Sequence, residues 1–164
     1  IYTKGTSAKD CDLLDKNVRV FPSNRGGQYT YHGPGQLVVY VMTDLKKRNL
    51  DIRSFVKTLE MWVINTLQAK WNVEACLVEK LVGIWVTDNF DKVLKKIAAI
   101  GVRVSNGITW HGFSFNVKEH VIENYKNINP CGLDSNSIIS LENLGIQESV
   151  KACVDAFLEN NPFN

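Results

Sequence analysis

The spacing of hydrophobic residues changes along the chain and predicts two helices that flank a set of strands. From Asp51 to Trp71, hydrophobic residues recur every three or four positions, which places them on one face of a helix, and Asp51 is a favourable N-cap. A second helix is predicted from about Gln147 to Glu159. Its predicted inward positions are Val150, Cys153, Val154, Phe157 and Leu158.

Between the helices, apolar and polar residues alternate, as they do in strands that bury one face. Asn106 and Gly107 tolerate the positive φ angles of a type I′ turn, so they predict a hairpin between strands around Lys96–Val104 and Ile108–Val117. Asn89–Lys95 fits either a helical turn or a loop. The remaining predicted strands, the second of them buried, are Gln28–His32, Gln36–Val41 and Gly83–Val86. Because helices and strands do not alternate regularly, we predict an α+β fold with mixed β-sheets and flanking helices.

Composition and charge are those of a soluble globular domain. Of the 164 residues, 45% are hydrophobic and 22% are charged, and 19 basic against 17 acidic side chains leave a net charge of +2. This even balance argues against a nucleic-acid-binding protein. No apolar run approaches the roughly 20 residues that a membrane span needs. The length and the absence of a linker predict one domain over residues 1–164.

The cysteines and the first residues bear on compartment and completeness. The four cysteines form no CxxC pair and no cluster with metal-ligand spacing, which predicts reduced thiols, no metal site and a cytoplasmic location. No signal peptide is apparent at the start of the sequence. Ile1, Tyr2 and Thr3 resemble the second half of a strand, so we expect residues upstream of Ile1.

The glycine-rich segment from Arg25 to Gln36 is the first candidate for chemistry. Its glycines let the backbone approach a ligand closely, Arg25 can bind a carboxylate or phosphate, and His32 is of a type that titrates near neutrality. A glycine-rich connection between two strands explains the same residues equally well. The spacing matches neither a dinucleotide-binding glycine motif nor a P-loop.

Cys131 lies in the turn-forming segment Asn129–Leu133, where a thiol can be exposed. It would act as a nucleophile only beside a cation that lowers its pKa, and a buried structural cysteine is the more common case. The buried structural role is predicted for the other three cysteines, Cys11, Cys76 and Cys153.

Lys96 opens an otherwise apolar strand, a setting that lowers the pKa of a lysine when the side chain is buried. An exposed lysine at a strand start is the more common arrangement. Gly101 and Gly112 interrupt the two hairpin strands, and such glycines often mark the close approach of a ligand. His111 fits either this region or an ordinary place in the core.

These segments match a family pattern when they are taken together and in order. They are Arg25-Gly-Gly-x-x-Thr30-Tyr-His32-Gly-Pro-Gly-Gln36, Lys96-Ile-Ala-Ala-Ile-Gly101-Val-Arg103-Val, His111-Gly-Phe, Asn116-Val117 and Pro130-Cys131-Gly132. The sequence resembles the octanoyltransferases of lipoate biosynthesis, also called lipoyl(octanoyl) transferases, from Ile1 to the C-terminal helix. The resemblance implies the α+β fold of biotin and lipoate protein ligases, and a catalytic domain that lacks the N-terminal portion usual in the family.

The resemblance implies an acyltransferase that moves an octanoyl group from acyl carrier protein to a specific lysine of a lipoyl-carrier domain. It implies a thioester intermediate on Cys131, with Lys96 as the neighbouring base. The implied carriers are the lipoyl domains of 2-oxoacid dehydrogenase complexes and the glycine cleavage H protein. No cofactor, metal, nucleic acid or membrane is implied. The implied substrate-binding residues are Arg25, Gly26, Gly27, Gln28, Tyr29, Thr30, Tyr31, His32, Ala99, Ile100, Gly101, Gly112, Phe113 and Ser114.

Two other functions stay open on the sequence alone. An ATP-dependent lipoate or biotin protein ligase shares the fold and an arginine–glycine loop but needs no cysteine, so Cys131 argues against it. A non-catalytic protein that binds an acyl group or its carrier is the other possibility.

Overall fold

The computed structural model of the chain describes residues 1–130 and 135–163, which form two β-sheets and two α-helices. The strands are β1 (Tyr2–Lys4), β2 (Val20–Pro22), β3 (Tyr29–Tyr31), β4 (Gln36–Tyr40), β5 (Ala75–Val78), β6 (Leu81–Thr87), β7 (Leu94–Ser105) and β8 (Ile108–Asn116). The helices are α1 (Ile52–Trp71) and α2 (Val150–Glu159). Short 3₁₀ helices span Asp10–Asp12, Glu119–Asn127, Ser135–Ser137 and Glu142–Leu144.

The larger sheet is antiparallel in the order β4-β8-β7-β6-β5, and the smaller sheet is mixed in the order β2-β1-β3. The β7–β8 hairpin turns at Asn106 and Gly107, whose φ angles are 53° and 85°. Both the hairpin and the α+β class with mixed sheets are confirmed.

Helix α1 forms where the sequence predicts it. The Asp51 carboxylate accepts a hydrogen bond from the Ser54 backbone N–H at 2.7 Å, which caps the first turn, and Asn72 ends the helix with a φ of 52°. The apolar stripe of α1 packs against one face of the larger sheet and against α2. Trp62 is central to this contact, because its ring meets Phe113 edge-on at 5.4 Å and its Nε1–H donates to the Phe157 carbonyl oxygen at 3.0 Å.

Three predictions about local structure are corrected. Helix α2 begins at Val150, after the Ser149 N-cap, because the Ser149 side chain rather than a residue near Gln147 accepts the first free backbone N–H. Leu158, predicted to point inward, is 58% exposed. Strand β4 is buried only in part, since it forms an edge of the larger sheet: Leu37 lies in the core, but Tyr40 is 62% exposed. Of the two alternatives for Asn89–Lys95, the structure shows the loop, and Leu94 and Lys95 already belong to β7.

The described cysteines divide into two environments. Cys153 lies in the core, where burial raises the pKa of its thiol to about 11. Cys11 and Cys76 are exposed, so the prediction that they are buried is wrong. The sequence signal failed at Cys76 because the residue alternates onto the outer face of β5, the edge strand. The prediction for Cys131 lies outside the described residues.

Over residues 1–130 and 135–163, neither helix combines the length and the hydrophobicity needed to cross a bilayer.

Candidate active site

A cleft lies between the smaller sheet and the face of the larger sheet opposite the helices. It is lined by thirteen of the predicted site residues: Arg25, Gly27, Gln28, Tyr29, Thr30, His32, Lys96, Ala99, Ile100, Gly101, Gly112, Phe113 and Ser114. Gly26 and Tyr31 lie beside the cleft without lining it. The Gly26 N–H donates to the Val102 carbonyl oxygen at 2.9 Å, and the Tyr31 ring packs 5.3 Å from that of Tyr2.

The cleft also contains residues that were not among the implied catalytic or substrate-binding residues. They are Val38, Val39, Tyr40, Ala98, His111, Asn116, Tyr125, Pro130 and Ile138. Asn116 could have been noticed in the sequence, because it is an amide residue directly after Phe113-Ser114-Phe115. In the structure it ends β8 and is only 4% exposed. His111 belongs to the cleft rather than to the core and has a φ of 65°, which is unusual for a residue inside a strand.

A β-bulge directs Lys96 into this cleft. Ala98 pairs with Ile84 of β6, but Lys96 pairs with Trp85, so β7 holds one extra residue, Ile97, between the two pairs. Strict alternation would place Lys96 on the same face as Ala98, which pairs with Phe115 beneath the helices. The extra residue moves Lys96 to the opposite face.

Lys96 is buried at that position, with only 3% of the residue exposed. The alternative of an exposed lysine at a strand start therefore does not apply to it. Its neighbour Lys95 lies on the other side of the strand, where its ammonium group is 2.6 Å from carboxylate oxygens of both Asp88 and Asp91.

Described residues before and after the predicted cysteine turn reach the cleft, and Ile138 contacts the Lys96 backbone. Pro130 and Ile138 both line the cleft. Ile138 forms a parallel β-bridge with Lys96, and the Ile139 N–H donates to the Lys96 carbonyl oxygen at 3.0 Å. Cys131, which follows Pro130 in the sequence, lies outside the described residues.

Arg25 holds the glycine-rich loop against the smaller sheet. Its guanidinium donates to the Gly26 carbonyl oxygen at 3.0 Å and to the Thr3 carbonyl and hydroxyl oxygens at 3.1 and 2.8 Å. Arg25 also lines the cleft. The segment is thus both a connection between strands and part of the cleft wall.

Gly101 and Gly112 are explained by close packing within the protein. A Cβ on Gly112 would collide with the Val39 carbonyl oxygen of the adjacent strand. A Cβ on Gly101 would lie 3.0 Å from the Arg25 side chain and from the Gly26 carbonyl oxygen. Gly112 therefore allows β4 and β8 to approach each other, and Gly101 allows the glycine-rich loop to approach β7.

A buried hydrogen-bond chain connects His32 to the segment that follows the cysteine turn. Asn116 donates through Nδ2 to the Ile139 carbonyl oxygen at 3.1 Å, so its Oδ1 accepts from Gln36 Nε2 at 2.9 Å. Gln36 Oε1 is then the acceptor facing His32 Nδ1, 2.7 Å away. Neutral His32 consequently carries its proton on Nδ1 and keeps Nε2 as an acceptor. A backbone carbonyl thereby selects the His32 tautomer.

The protonation of His32 should be visible in the stability of the protein. Burial lowers the pKa of His32 from its usual value of about 6.5, and the hydrogen bond to Gln36 offsets this only in part. The unfolded chain therefore takes up a proton first as pH falls. The free energy of unfolding is therefore independent of His32 protonation well above about pH 6.5. Below that pH it decreases, by at most about 1.4 kcal/mol per pH unit for this one residue.

Urea unfolding at pH 7.5 and at 5.5 checks this expectation. The free energy of unfolding should decrease towards pH 5.5, and His32→Asn should make the decrease smaller. Burial also lowers the pKa of His111, so a residual slope should remain in His32→Asn. A slope that is equal in the two proteins would contradict the assignment to His32.

Comparisons with known proteins agree on one family. Residues 4–160 match the model of the family described as the lipoyl protein ligase A/B catalytic domain. An octanoyltransferase of Parvibaculum lavamentivorans is 50% identical over 149 residues, which cover 88% of this chain and 65% of the relative. An octanoyltransferase of Paracoccus denitrificans is 44% identical over 153 residues, covering 89% of this chain and 69% of the relative. The chain thus spans about two thirds of the length of these curated relatives.

Solved structures share the fold at much lower identity. A lipoate-protein ligase A bound with ATP superposes with a TM-score of 0.68 at 19% identity, over 97% of this chain and 66% of that one. A biotin protein ligase of Aquifex aeolicus superposes with a TM-score of 0.56 at 16% identity, over 96% of this chain and 64% of that one. The predicted biotin and lipoate protein ligase-like fold is confirmed. With the family match over nearly its whole length, this chain belongs to the lipoyl protein ligase A/B catalytic domain family.

Proposed function

We propose that the chain transfers an octanoyl group from acyl carrier protein to a specific lysine of a lipoyl-carrier domain. Cys131 carries the octanoyl group as a thioester, and Lys96 moves the protons. The observation that carries the proposal is the burial of Lys96 in a cleft flanked by Pro130 and Ile138, in a chain whose curated relatives are octanoyltransferases.

The first half-reaction needs an ionised thiol. A free cysteine with a pKa of about 8.5 is only about 3% thiolate at pH 7, and a nearby ammonium group increases that fraction. The Cys131 thiolate attacks the thioester carbonyl of the octanoyl carrier, a new C–S bond forms, and the bond to phosphopantetheine breaks. The departing thiolate takes a proton from the Lys96 ammonium, which leaves Lys96 neutral.

The second half-reaction returns the site to its starting state. The acceptor lysine attacks the octanoyl thioester through its amine, an amide forms, and Cys131 leaves as a thiolate. Neutral Lys96 takes the proton that the amine loses, so the thiolate and ammonium pair is restored. Because an existing thioester supplies the driving force for amide formation, the reaction requires no ATP.

The walls of the cleft suit an apolar chain next to a polar reaction centre. Tyr29, Ala99 and Phe113 lie on it together with Ser114. Burial of the seven alkyl carbons of an octanoyl group, at about 0.8 kcal/mol each, contributes roughly 5 kcal/mol before the costs of ordering. The Gly26 N–H is already bonded to Val102, so amides elsewhere along the cleft would stabilise the oxyanion.

We further propose that the acceptors are the lipoyl domains of 2-oxoacid dehydrogenase complexes and the glycine cleavage H protein, and that the protein acts in the cytoplasm. A bipartite lipoate protein ligase of Thermoplasma acidophilum, described together with its E2 lipoyl domain, has the same fold (TM-score 0.66, 17% identity, 97% of this chain and 65% of that one). Free thiols at the three described cysteines agree with a reducing compartment.

Intact-mass measurement after incubation with octanoyl-acyl carrier protein, without ATP, tests the proposal. We expect one octanoyl adduct that hydroxylamine removes and that Cys131→Ser lacks. Cys11→Ser and Cys76→Ser are matched controls, because both remove an exposed thiol, and both should keep the adduct. Absence of an adduct, or an adduct that persists in Cys131→Ser, would contradict the thioester mechanism.

An ATP-dependent ligase is the second candidate, because a ligase of the same fold is known with ATP bound. Such an enzyme activates a free acid as an acyl-adenylate and does not use Cys131. Labelling from free octanoate that requires ATP and survives in Cys131→Ser would favour the ligase over the transferase.

A further inference from the structure

Lys96 faces an aromatic ring across the β6–β7 ladder. Trp85 is its cross-strand partner at the bulge, and the Lys96 Nζ lies over the indole ring, 5.0 Å from the centre. Both residues are 3% exposed, so little water screens this contact. The Trp85 Nε1–H donates to the Leu81 carbonyl oxygen at 3.3 Å, which satisfies the polar atom of the indole and fixes the plane of the ring.

Gly83 provides the space through which the Lys96 side chain reaches the ring. A Cβ at Gly83 would lie 3.0 Å from Lys96 Cε and 3.2 Å from Cδ, and 2.7 Å from the Ala98 carbonyl oxygen. Gly83 also has a φ of 129°, a conformation that other residues rarely adopt. Gly83 and Trp85 alternate onto the same face of β6, so the lysine methylenes cross the glycine before the ammonium meets the ring.

We propose that Trp85 is a positioning residue for Lys96: its π face holds the ammonium group at the cleft and favours the charged form, and Gly83 keeps the path of the side chain open. The negative face of an indole ring attracts a cation, and the attraction is strongest where both groups are shielded from water. The contact orients the amine from the side of β6 that faces the cleft. Its relevance to catalysis rests on the proposed function, but the contact itself is testable without it.

Other groups near Lys96 also influence its protonation and must stay constant in the test. Among the described residues, the charged or titratable groups that share the cleft with Lys96 are Arg25, Tyr29, His32, Tyr40, His111 and Tyr125. From the helix side, Glu60 of α1 accepts a hydrogen bond from the Gly83 backbone N–H, and its pKa is raised by burial. A substitution that changes only the electron density of the Trp85 ring leaves all of these groups in place.

The experiment therefore replaces Trp85 site-specifically with mono-, di- and trifluorinated tryptophan. Fluorine withdraws electrons from the ring face and leaves its shape nearly unchanged. Lysine labelled with ¹³C at Cε reports the pKa of Lys96 by NMR, with the signal assigned through Lys96→Arg. We expect the pKa to fall stepwise, by about one unit for the most fluorinated ring, while the melting temperature stays within a degree or two. The same amino acids at Trp110, which is 48% exposed, should leave the Lys96 pKa unchanged.

A Lys96 pKa that does not respond to fluorination at Trp85, or responds equally to fluorination at Trp110, would overturn the proposal. Trp85→Phe and Trp85→Leu give a second series, in which the pKa should fall more for leucine than for phenylalanine; equal values would also overturn it. The titration needs no substrate. If the parent protein fails to transfer octanoyl groups, the proposed function fails while the Trp85–Lys96 contact is still decided by the titration.

Discussion

Replacing Lys96 with alanine is expected to slow octanoyl transfer by about 10²- to 10⁴-fold, because the proposed mechanism assigns two proton transfers to this one side chain. The loss should also appear before any substrate is bound. Without the ammonium, less of the Cys131 thiol is ionised at pH 7, so alkylation by iodoacetamide should slow and its pH profile should shift to higher pH. Stopped-flow or quenched assays of transfer, together with alkylation rates from pH 6 to 10, check both effects.

Lys95→Ala is the matched control for this experiment. It removes the neighbouring lysine, whose ammonium lies between Asp88 and Asp91 on the opposite side of β7. The pH profile for alkylation should be unchanged in Lys95→Ala. Lys96→Arg tests geometry, since it retains a positive charge but does not release a proton near neutral pH, so alkylation should be less affected than transfer. If Lys96→Ala alkylates with the parent profile, the role assigned to Lys96 is wrong.

Replacing Phe115 with alanine is expected to lower the free energy of unfolding by about 3–5 kcal/mol. Phe115 is fully buried on the helix side of β8, stacked 6.1 Å from the Trp71 ring and edge-on at 5.3 Å from Phe157. These large neighbours come from α1 and α2, so they are held by separate elements and close the resulting cavity only in part. Urea unfolding followed by circular dichroism measures the change, and the melting temperature should fall by roughly 10 °C.

Phe90→Ala is the control for Phe115→Ala, because Phe90 is 96% exposed in the turn before β7. It should leave the free energy of unfolding within about 0.5 kcal/mol of the parent value. Similar stabilities for the two variants would mean that the core beneath the larger sheet is not organised around Phe115.

The elements that the sequence predicted well are those with a strong local signal. Helix α1 has a regular apolar stripe and a capping aspartate, and the hairpin has the Asn106-Gly107 turn, so local chemistry determines both. Helix α2 was placed too early, because residues before Ser149 are compatible with a helix but lack a side chain that caps it. The exposure of Cys76 depends on which strand ends the sheet, and pairing between distant segments decides that.

The sequence predicted most of the residues that line the cleft, but it did not predict how they are arranged in space. The glycine-rich segment and the two hairpin glycines stood out because their composition is unusual for strands. The bulge at Ile97 gave no signal, since an isoleucine that follows a lysine and precedes two alanines is compatible with an unbroken strand. The link from His32 through Gln36 and Asn116 to Ile139 joins residues up to 107 positions apart, and only the fold brings them together.

The direction in which the Lys96 amine points depends on the number of residues between Lys96 and Ala98, because the extra residue Ile97 moves Lys96 to the cleft face of β7. Both Ile97 and Ala98 are packed in the apolar interior, so many exchanges among similar hydrophobic residues preserve the geometry there. Loss of one residue between Lys96 and Ala98 would instead turn the ammonium towards α1 and α2, although every functional group would still be present. Among natural variants, this stretch should therefore accept exchanges between hydrophobic residues but should not accept an insertion or a deletion.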